Sequence, residues 1–186
     1  VMYSLMLNSE KAEIHSAVAD WYTATLQALK IDINNFMKST IDNKAMIVKT
    51  ITSATIGQIV RIVAYHKVCA FQQFQQAGSS ISFANCKLSL ESACRSANMY
   101  MDSFQYENCA SILSECMKIS KYIYLMYESE SKGIHSMDAD ICCLLAIAKQ
   151  HLVNSFDKEI MQLLDHAKKI VETSNPKYFT IVWNLW

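Results

Sequence analysis

Glycine and proline are scarce in this chain, which has three glycines and one proline in 186 residues. An all-β sandwich or barrel needs these residues at turns that recur roughly every 8–12 residues. Apolar residues make up 52% of the chain and charged residues 18%. That balance excludes a disordered tail, since such tails have too little apolar surface to offset the entropy of ordering. The composition therefore predicts a compact and mostly helical chain.

Apolar residues recur every three or four positions through most of the chain, which is the spacing of one helical face. Turn and capping residues separate these stripes. Together they predict seven helices, over residues 9–38, 43–76, 81–101, 105–127, 138–153, 156–172 and 177–186. The short connections predict an all-α fold of antiparallel hairpins, either an α-solenoid or an irregular helical bundle. We predict one all-helical domain over residues 1–186; a start at Val1 is also compatible with a fragment of a longer helical-repeat protein.

Residues 45–63 leave two alternatives open. They are dense in β-branched side chains, which favour strands. From Ile47 to Ile62, however, Ile or Thr recurs every third or fourth residue, and alternation with period two is poor. We expect a helix here, and its composition predicts a central helix that is buried on nearly all sides.

The charges and the apolar stretches constrain the partners. Seventeen basic residues balance seventeen acidic ones, so the net charge is zero. A nucleic-acid binder normally has a basic excess, since phosphate neutralisation supplies much of its affinity. The most apolar stretch, Ala45–Phe71, contains four basic residues, whereas a membrane span needs about 20 nearly uninterrupted apolar residues. We therefore expect protein partners, in a homo- or hetero-oligomer, and neither nucleic acid nor membrane.

The seven cysteines form an odd set without a disulfide framework, which favours free thiols in an intracellular compartment, cytoplasmic or nuclear. Structural zinc sites usually contain close Cys-x₂₋₄-Cys pairs. The one close pair, Cys142 and Cys143, is consecutive, and consecutive helical residues point about 100° apart. Asp138 and Asp140 stand at a predicted helix start, where the helix dipole accounts for them. We expect buried cysteines, no metal and no cofactor.

Catalytic motifs are also missing from the sequence. The five histidines are isolated, and no His-Glu-x-x-His motif is present. No phosphate-binding glycine loop exists, and no cysteine lies on a nucleophile turn with an oxyanion-forming glycine. We therefore assign no catalytic residue, and an enzyme ranks third among the possible functions.

Small and large residues follow one another between residues 93 and 118 in an order that suits two closely crossing helices. The positions are Ala97, Tyr100, Tyr106, Cys109, Leu113 and Cys116. Small residues are needed where the helices cross, and large ones fill the groove between pairs. This segment resembles a tetratricopeptide repeat (TPR).

A second helical pair, over residues 144–170, resembles the repeat in part. It matches through Ala148, Leu164 and Ala167, and Ile160 departs from the pattern because a small residue belongs there. Ala97 and Ala148 are 51 residues apart, whereas the family's period is about 34. The resemblance covers about residues 93–170 and implies a helical scaffold that binds proteins.

The last nine residues are rich in aromatic side chains: Tyr178, Phe179, Trp183 and Trp186. They form either a core helix or an anchor for a neighbouring repeat or partner, since exposed Trp and Tyr favour interfaces. The sequence as a whole predicts a non-enzymatic protein-interaction or assembly scaffold of TPR-like hairpins. The alternative is a closed helical bundle that binds an apolar small molecule in its core.

Overall fold

The computed structural model describes residues 2–39, 44–153 and 158–174, with side chains for 3–29, 55–153 and 158–170. α-Helices make up 89% of the described residues, and none of these residues lies in a strand. The all-α class predicted from the sequence is confirmed. No helix in these ranges is long and apolar enough to cross a membrane.

Seven α-helices and one 3₁₀ helix follow one another in the described ranges. They are α1 (Met2–Leu5), α2 (Asn8–Ser39), α3 (Lys44–Gln76), α4 (Phe83–Asp102), α5 (Tyr106–Met126), the 3₁₀ helix (Ser131–Ile134), α6 (His135–Val153) and α7 (Lys158–Ser174). Six of them match predicted segments to within a few residues. The helix predicted over 177–186, with its four aromatic residues, lies outside the described residues.

The chain divides into two compact units, Val1–Ile81 and Ser82–Trp186. In the first unit α2 and α3 pack along each other, and the alanines Ala12, Ala19 and Ala64 are fully buried. Alanine lets two helix backbones approach closely, which suits the packing of α2 along α3. The predicted single domain stays a prediction, because two compact units can still unfold together.

α3 is helical over the whole segment that the sequence left open between helix and strand. From Thr55 onward, where its side chains are described, this helix is not buried on all sides. Val63, Val68 and Phe71 are buried, whereas Tyr65 is 60% exposed. This described part of the helix therefore has one buried face and one exposed face.

Two helices end in the same hydrogen-bond pattern with different residues at the left-handed position. After α3, Gly78 (φ 66°) donates its N–H to Gln75 O at 3.1 Å, and Ser79 donates to Phe74 O at 3.0 Å. This is a Schellman motif, and glycine adopts its positive φ without strain.

After α4 the left-handed residue is Phe104 (φ 56°). Its N–H donates to Met101 O at 3.0 Å, and the N–H of Gln105 donates to Tyr100 O at 2.8 Å. A side chain at this φ costs about 1–2 kcal/mol. The short connection predicted between residues 101 and 105 is present, but it contains a strained residue that the sequence did not reveal.

The second unit contains α4–α7, and α6 packs against both α5 and α7. Cys109 Sγ lies 3.4 Å from Ala97 O, and both residues are fully buried where α4 and α5 cross. The other small and aliphatic positions of the repeat pattern are also buried: Leu113, Cys116, Ala148, Leu164 and Ala167. Tyr100 and Tyr106 are half-buried.

Ile160, which departs from the repeat pattern, is buried against Ala146 and Leu164. A close helical hairpin needs small residues at its crossing whatever its ancestry. The TPR relationship therefore stays a prediction.

Candidate functional site

A buried carboxylate lies where three helices of the second unit meet. Asp138 on α6 is 1% exposed. From α5, Ser120 Oγ donates a hydrogen bond to Asp138 Oδ1 at 2.6 Å, and the Tyr124 hydroxyl donates to Oδ2 at 3.1 Å. From α7, His166 Nε2 lies 3.4 Å from the same Oδ2. The carboxylate thus connects α5, α6 and α7.

Helical spacing explains how these groups come together. Ser120 and Tyr124 are four residues apart on α5 and share one face, and Asp138 and Cys142 share a face of α6 in the same way. The 3₁₀ helix leads directly into α6, which begins at His135 rather than at residue 138. Asp138 therefore lies within the first turn and faces α5, where it accepts side-chain hydrogen bonds instead of capping the helix.

A cavity of about 440 Å³ lies beside this carboxylate. Side chains of α5 form most of its wall, and Asp138 and His166 complete it. The wall is mostly apolar because Met117, Leu125 and the Tyr124 ring supply much of it. Leu125 is 73% exposed, so the cavity opens to solvent on the α5 side.

Basic side chains surround the opening of this cavity. Lys118 and Lys121 are exposed on α5, one turn apart, and the His166 side chain is 50% exposed. Lys118 forms an ion pair with Glu115 at 2.7 Å. Lys121 makes no ion pair within the described ranges, so its charge is available to a bound group. The cavity therefore combines an apolar wall, a basic rim and a buried hydrogen-bonded acid.

Burial keeps two neighbouring groups protonated. It raises the pKa of the Tyr124 hydroxyl, and the Asp138 charge raises it further. Burial also raises the pKa of the Cys142 thiol, with smaller contributions from Asp138 and Cys143. Both groups are consequently neutral at physiological pH, and the Tyr124 hydroxyl can donate to Asp138 throughout that range.

The contacts around Asp138 differ from those of a nucleophilic triad. In a Ser-His-Asp triad the imidazole lies between the two other residues and accepts the serine proton. Here Ser120 donates directly to Asp138 Oδ1, and His166 lies at the opposite oxygen. The imidazole therefore does not lie between the serine and the carboxylate, and these contacts are not those of a Ser-His-Asp triad. That the protein is not an enzyme stays a prediction.

One group in the described part of the chain combines three metal-binding side chains. The ligand atoms of Asp138, Cys142 and His166 lie within 4.8 Å of one another. The spacing of the cysteines did not reveal this group, because two of its members are not cysteines and one lies on another helix. The available signal was the Asp-x-x-x-Cys spacing, which puts two ligands on one face of α6.

Two histidines form a separate polar cluster in the first unit. His15 Nδ1 on α2 lies 2.7 Å from His66 Nδ1 on α3, so one of the two atoms carries a proton and donates it. The Tyr3 hydroxyl lies 2.8 Å from His15 Nε2, and the Tyr65 ring packs edge-on against both imidazoles. Burial lowers the pKa of His15, and the His66 charge lowers it further; burial also lowers the pKa of His66.

This pair makes the stability of the first unit depend on pH. Because both folded-state pKa values lie below the ordinary 6.5, the unfolded chain binds protons more readily. Stability is thus complete above 6.5 and falls as the pH drops through 6.5 toward the folded values. Between about pH 7.5 and about pH 5.5, the free energy of unfolding, measured with urea, should fall less in the double variant His15→Gln/His66→Gln than in the wild type. Equal decreases in the two proteins would mean that His15 and His66 do not cause the pH dependence of stability.

Comparisons of this chain with protein-family models, curated proteins and solved structures gave no match. A fold class does not specify a function, which has to be argued from particular residues. Of the site residues expected from the sequence, seven of the nine repeat positions lie in the core, and Tyr100 and Tyr106 are half-buried. The C-terminal aromatic residues lie outside the described ranges. The cavity beside Asp138 is the strongest site that the structure adds.

Proposed function

We propose that this chain is a non-enzymatic interaction or assembly scaffold whose second unit binds a segment of a protein partner in the cavity beside Asp138. The observation that carries the proposal is a mostly apolar cavity of about 440 Å³ that opens at the exposed side chain of Leu125. Interfaces gain most of their affinity where a large apolar side chain enters such a pocket.

The basic rim indicates the chemistry of the partner. Lys121 has no ion pair among the described residues, and Lys118 and His166 also line the cavity. Lys118 pairs with Glu115, and His166 lies 3.4 Å from Asp138, so Lys121 is the main cationic group that this rim offers to a partner. Complementary charges favour encounter and fix the register of a complex. We infer that the bound segment has a bulky apolar residue next to one or more Asp or Glu residues.

Two further features support a scaffold of this kind. The α4–α5 hairpin has small residues at its crossing, as the TPR-like interpretation requires. All seven cysteines are free thiols, which supports an intracellular location, in the cytoplasm or nucleus. The TPR-like relationship and the location are parts of this proposal.

The volume of the cavity also favours a second candidate, the binding of an apolar small molecule. Small-molecule pockets usually have volumes of about 300–1,000 Å³ and mostly apolar walls. We rank this candidate second because the cavity opens beside exposed Leu125, whereas a carrier usually encloses its ligand. The two candidates differ in what enters: a side chain of a peptide or a whole apolar molecule.

Selection of phage-displayed random peptides on the full chain tests the proposal. We expect enriched peptides that contain a bulky apolar residue beside Asp or Glu. Their affinity should fall about tenfold or more in Leu125→Asp, because that carboxylate repels the acidic segment and removes the apolar contact. Lys121→Glu should weaken binding as well, and added salt should reduce the difference between this variant and the wild type.

Leu88→Asp is the matched control, because Leu88 is 47% exposed on α4 and does not line the cavity. Its affinity for the selected peptides should equal that of the wild type. Selected peptides that bind Leu125→Asp as tightly as the wild type would contradict the proposed site. Failure to enrich a motif, together with a higher thermal midpoint in a long-chain fatty acid, would favour the small-molecule candidate.

A further inference from the structure

The ligand atoms of Asp138, Cys142 and His166 lie close together beside the cavity, whose lining includes Asp138 and His166. Asp138 and Cys142 are one turn apart on α6, and His166 comes from α7. His166 Nε2 lies 3.4 Å from Asp138 Oδ2, and all three ligand atoms lie within 4.8 Å of one another. Because two helices supply the group, its geometry depends on the packing of the second unit.

These distances suit a tetrahedral metal ion. With Zn–N and Zn–O bonds of about 2.0 Å and a Zn–S bond of about 2.3 Å, neighbouring ligand atoms lie about 3.3–3.5 Å apart. The oxygen and nitrogen already have this separation. The separations between the three ligand atoms exceed those around a tetrahedral zinc ion by less than about 1.5 Å. The half-exposed His166 side chain has room to move by this amount.

The burial of Asp138 is an independent reason to expect a cation. Its side chain is 2% exposed, and no lysine or arginine is buried among the residues whose side chains are described. The imidazole of His166, 3.4 Å away, balances the carboxylate charge only when it is protonated. Its two hydrogen-bond donors, Ser120 and Tyr124, are neutral hydroxyls. Buried charges in proteins are usually paired or coordinate a metal. The same two hydroxyls would hold the carboxylate in place, as outer-shell partners do at metal sites.

We propose that Asp138, Cys142 and His166 bind one Zn²⁺ ion. Zinc binding displaces the proton of the neutral Cys142 thiol, which is released to solvent, so that a thiolate, an imidazole and a carboxylate hold the ion. This set of ligands suits zinc, whereas magnesium and calcium select oxygen ligands alone. Three protein ligands leave the fourth position of the tetrahedron to water or to a group in the adjacent cavity. The site does not depend on peptide binding. The expectation from cysteine spacing that the chain binds no metal stays a prediction, and this proposal is the alternative to it.

Titration of the chelator-treated full chain with Co²⁺ tests the site, since Co²⁺ takes the place of zinc and reports its ligands in the absorption spectrum. We expect one equivalent to produce tetrahedral d–d bands together with a thiolate-to-cobalt charge-transfer band. Zn²⁺ should remove both. Cys142→Ala should lose the charge-transfer band, while Cys143→Ala, its neighbour on α6, should keep it because Cys143 is not part of the group.

His166→Gln keeps the test decisive if Cys142→Ala fails to fold, because His166 is half exposed and its replacement leaves the core intact. We expect its Co²⁺ affinity to fall at least about tenfold, since even loss of an outer-shell partner costs that much. Far-UV circular dichroism should show unchanged helix content. A chain without a stoichiometric cobalt spectrum, or a spectrum unchanged in His166→Gln, would overturn the proposal. Peptide selection on metal-free protein tests the cavity separately.

Discussion

Replacing Leu113 with alanine is expected to lower the unfolding free energy by about 2–5 kcal/mol. Leu113 is fully buried in the middle of α5, so the substitution removes apolar contacts and leaves a void that close-packed neighbours fill only in part. Urea unfolding followed by circular dichroism at 222 nm, the usual helix wavelength, measures the change. If the slope of the unfolding free energy against urea concentration is unchanged, the loss of stability arises in the folded state.

Leu125→Ala provides the matched control, with the same substitution on the same helix. Leu125 is 73% exposed, so its truncation should change stability by less than about 0.5 kcal/mol. Equal losses at the two positions would contradict the orientation of α5 and, with it, the wall of the cavity. The comparison thus tests the packing on which the candidate site depends.

The fold class and the helix boundaries could be predicted because their signals are local. The spacing of apolar residues along α2, α4 and α5 identifies one face of a helix without knowledge of what covers it. The end of α3 could be predicted for the same reason, since Gly78 marks a left-handed residue. Phe104 occupies an equivalent position after α4, but phenylalanine gives no such signal, so the tight turn could be expected and its strain could not.

The candidate site could not be predicted because it depends on which helices become neighbours. Asp138 stands near a predicted helix start, and the helix dipole is a sufficient explanation of it in the sequence. Its burial becomes evident only when α5 brings Ser120 and Tyr124 to it, and α7 brings His166. These three residues are separated from Asp138 by turns whose geometry the spacing of apolar residues does not fix.

The cysteines show how one residue type can serve different purposes in the same core. Cys86 and Cys109 are fully buried, and burial raises the pKa of each to about 11. A thiol with so high a pKa is a poor nucleophile, so these two act as small apolar side chains. Cys142 is equally buried, but it lies one turn from Asp138 and near His166. Position relative to other polar groups therefore separates a packing cysteine from a candidate ligand.

Loss of the Ser120 hydroxyl is the second large effect that we expect. Ser120→Ala in chelator-treated protein should lower the unfolding free energy by about 1.5–3 kcal/mol, the usual contribution of a hydrogen bond to a charged group. Ser120 Oγ donates to Asp138 at 2.6 Å, and both side chains are buried, so the substitution removes a donor from a buried carboxylate. Ser114→Ala, also on α5, removes a hydroxyl that donates only to the backbone oxygen of Ala110 and should cost less than about 0.5 kcal/mol.

A double-mutant cycle with Asp138→Asn separates this hydrogen bond from the packing of α5. Asparagine keeps the size of the side chain but removes the charge, so Ser120→Ala should cost less in the Asp138→Asn background than in the wild type. We expect a coupling energy between the two positions of about 0.5–3 kcal/mol, the range for residues in direct contact. Additive losses would mean that the Ser120 hydroxyl stabilises α5 independently of Asp138. The buried carboxylate would then lack the hydroxyl support that both the cavity and the proposed zinc site require.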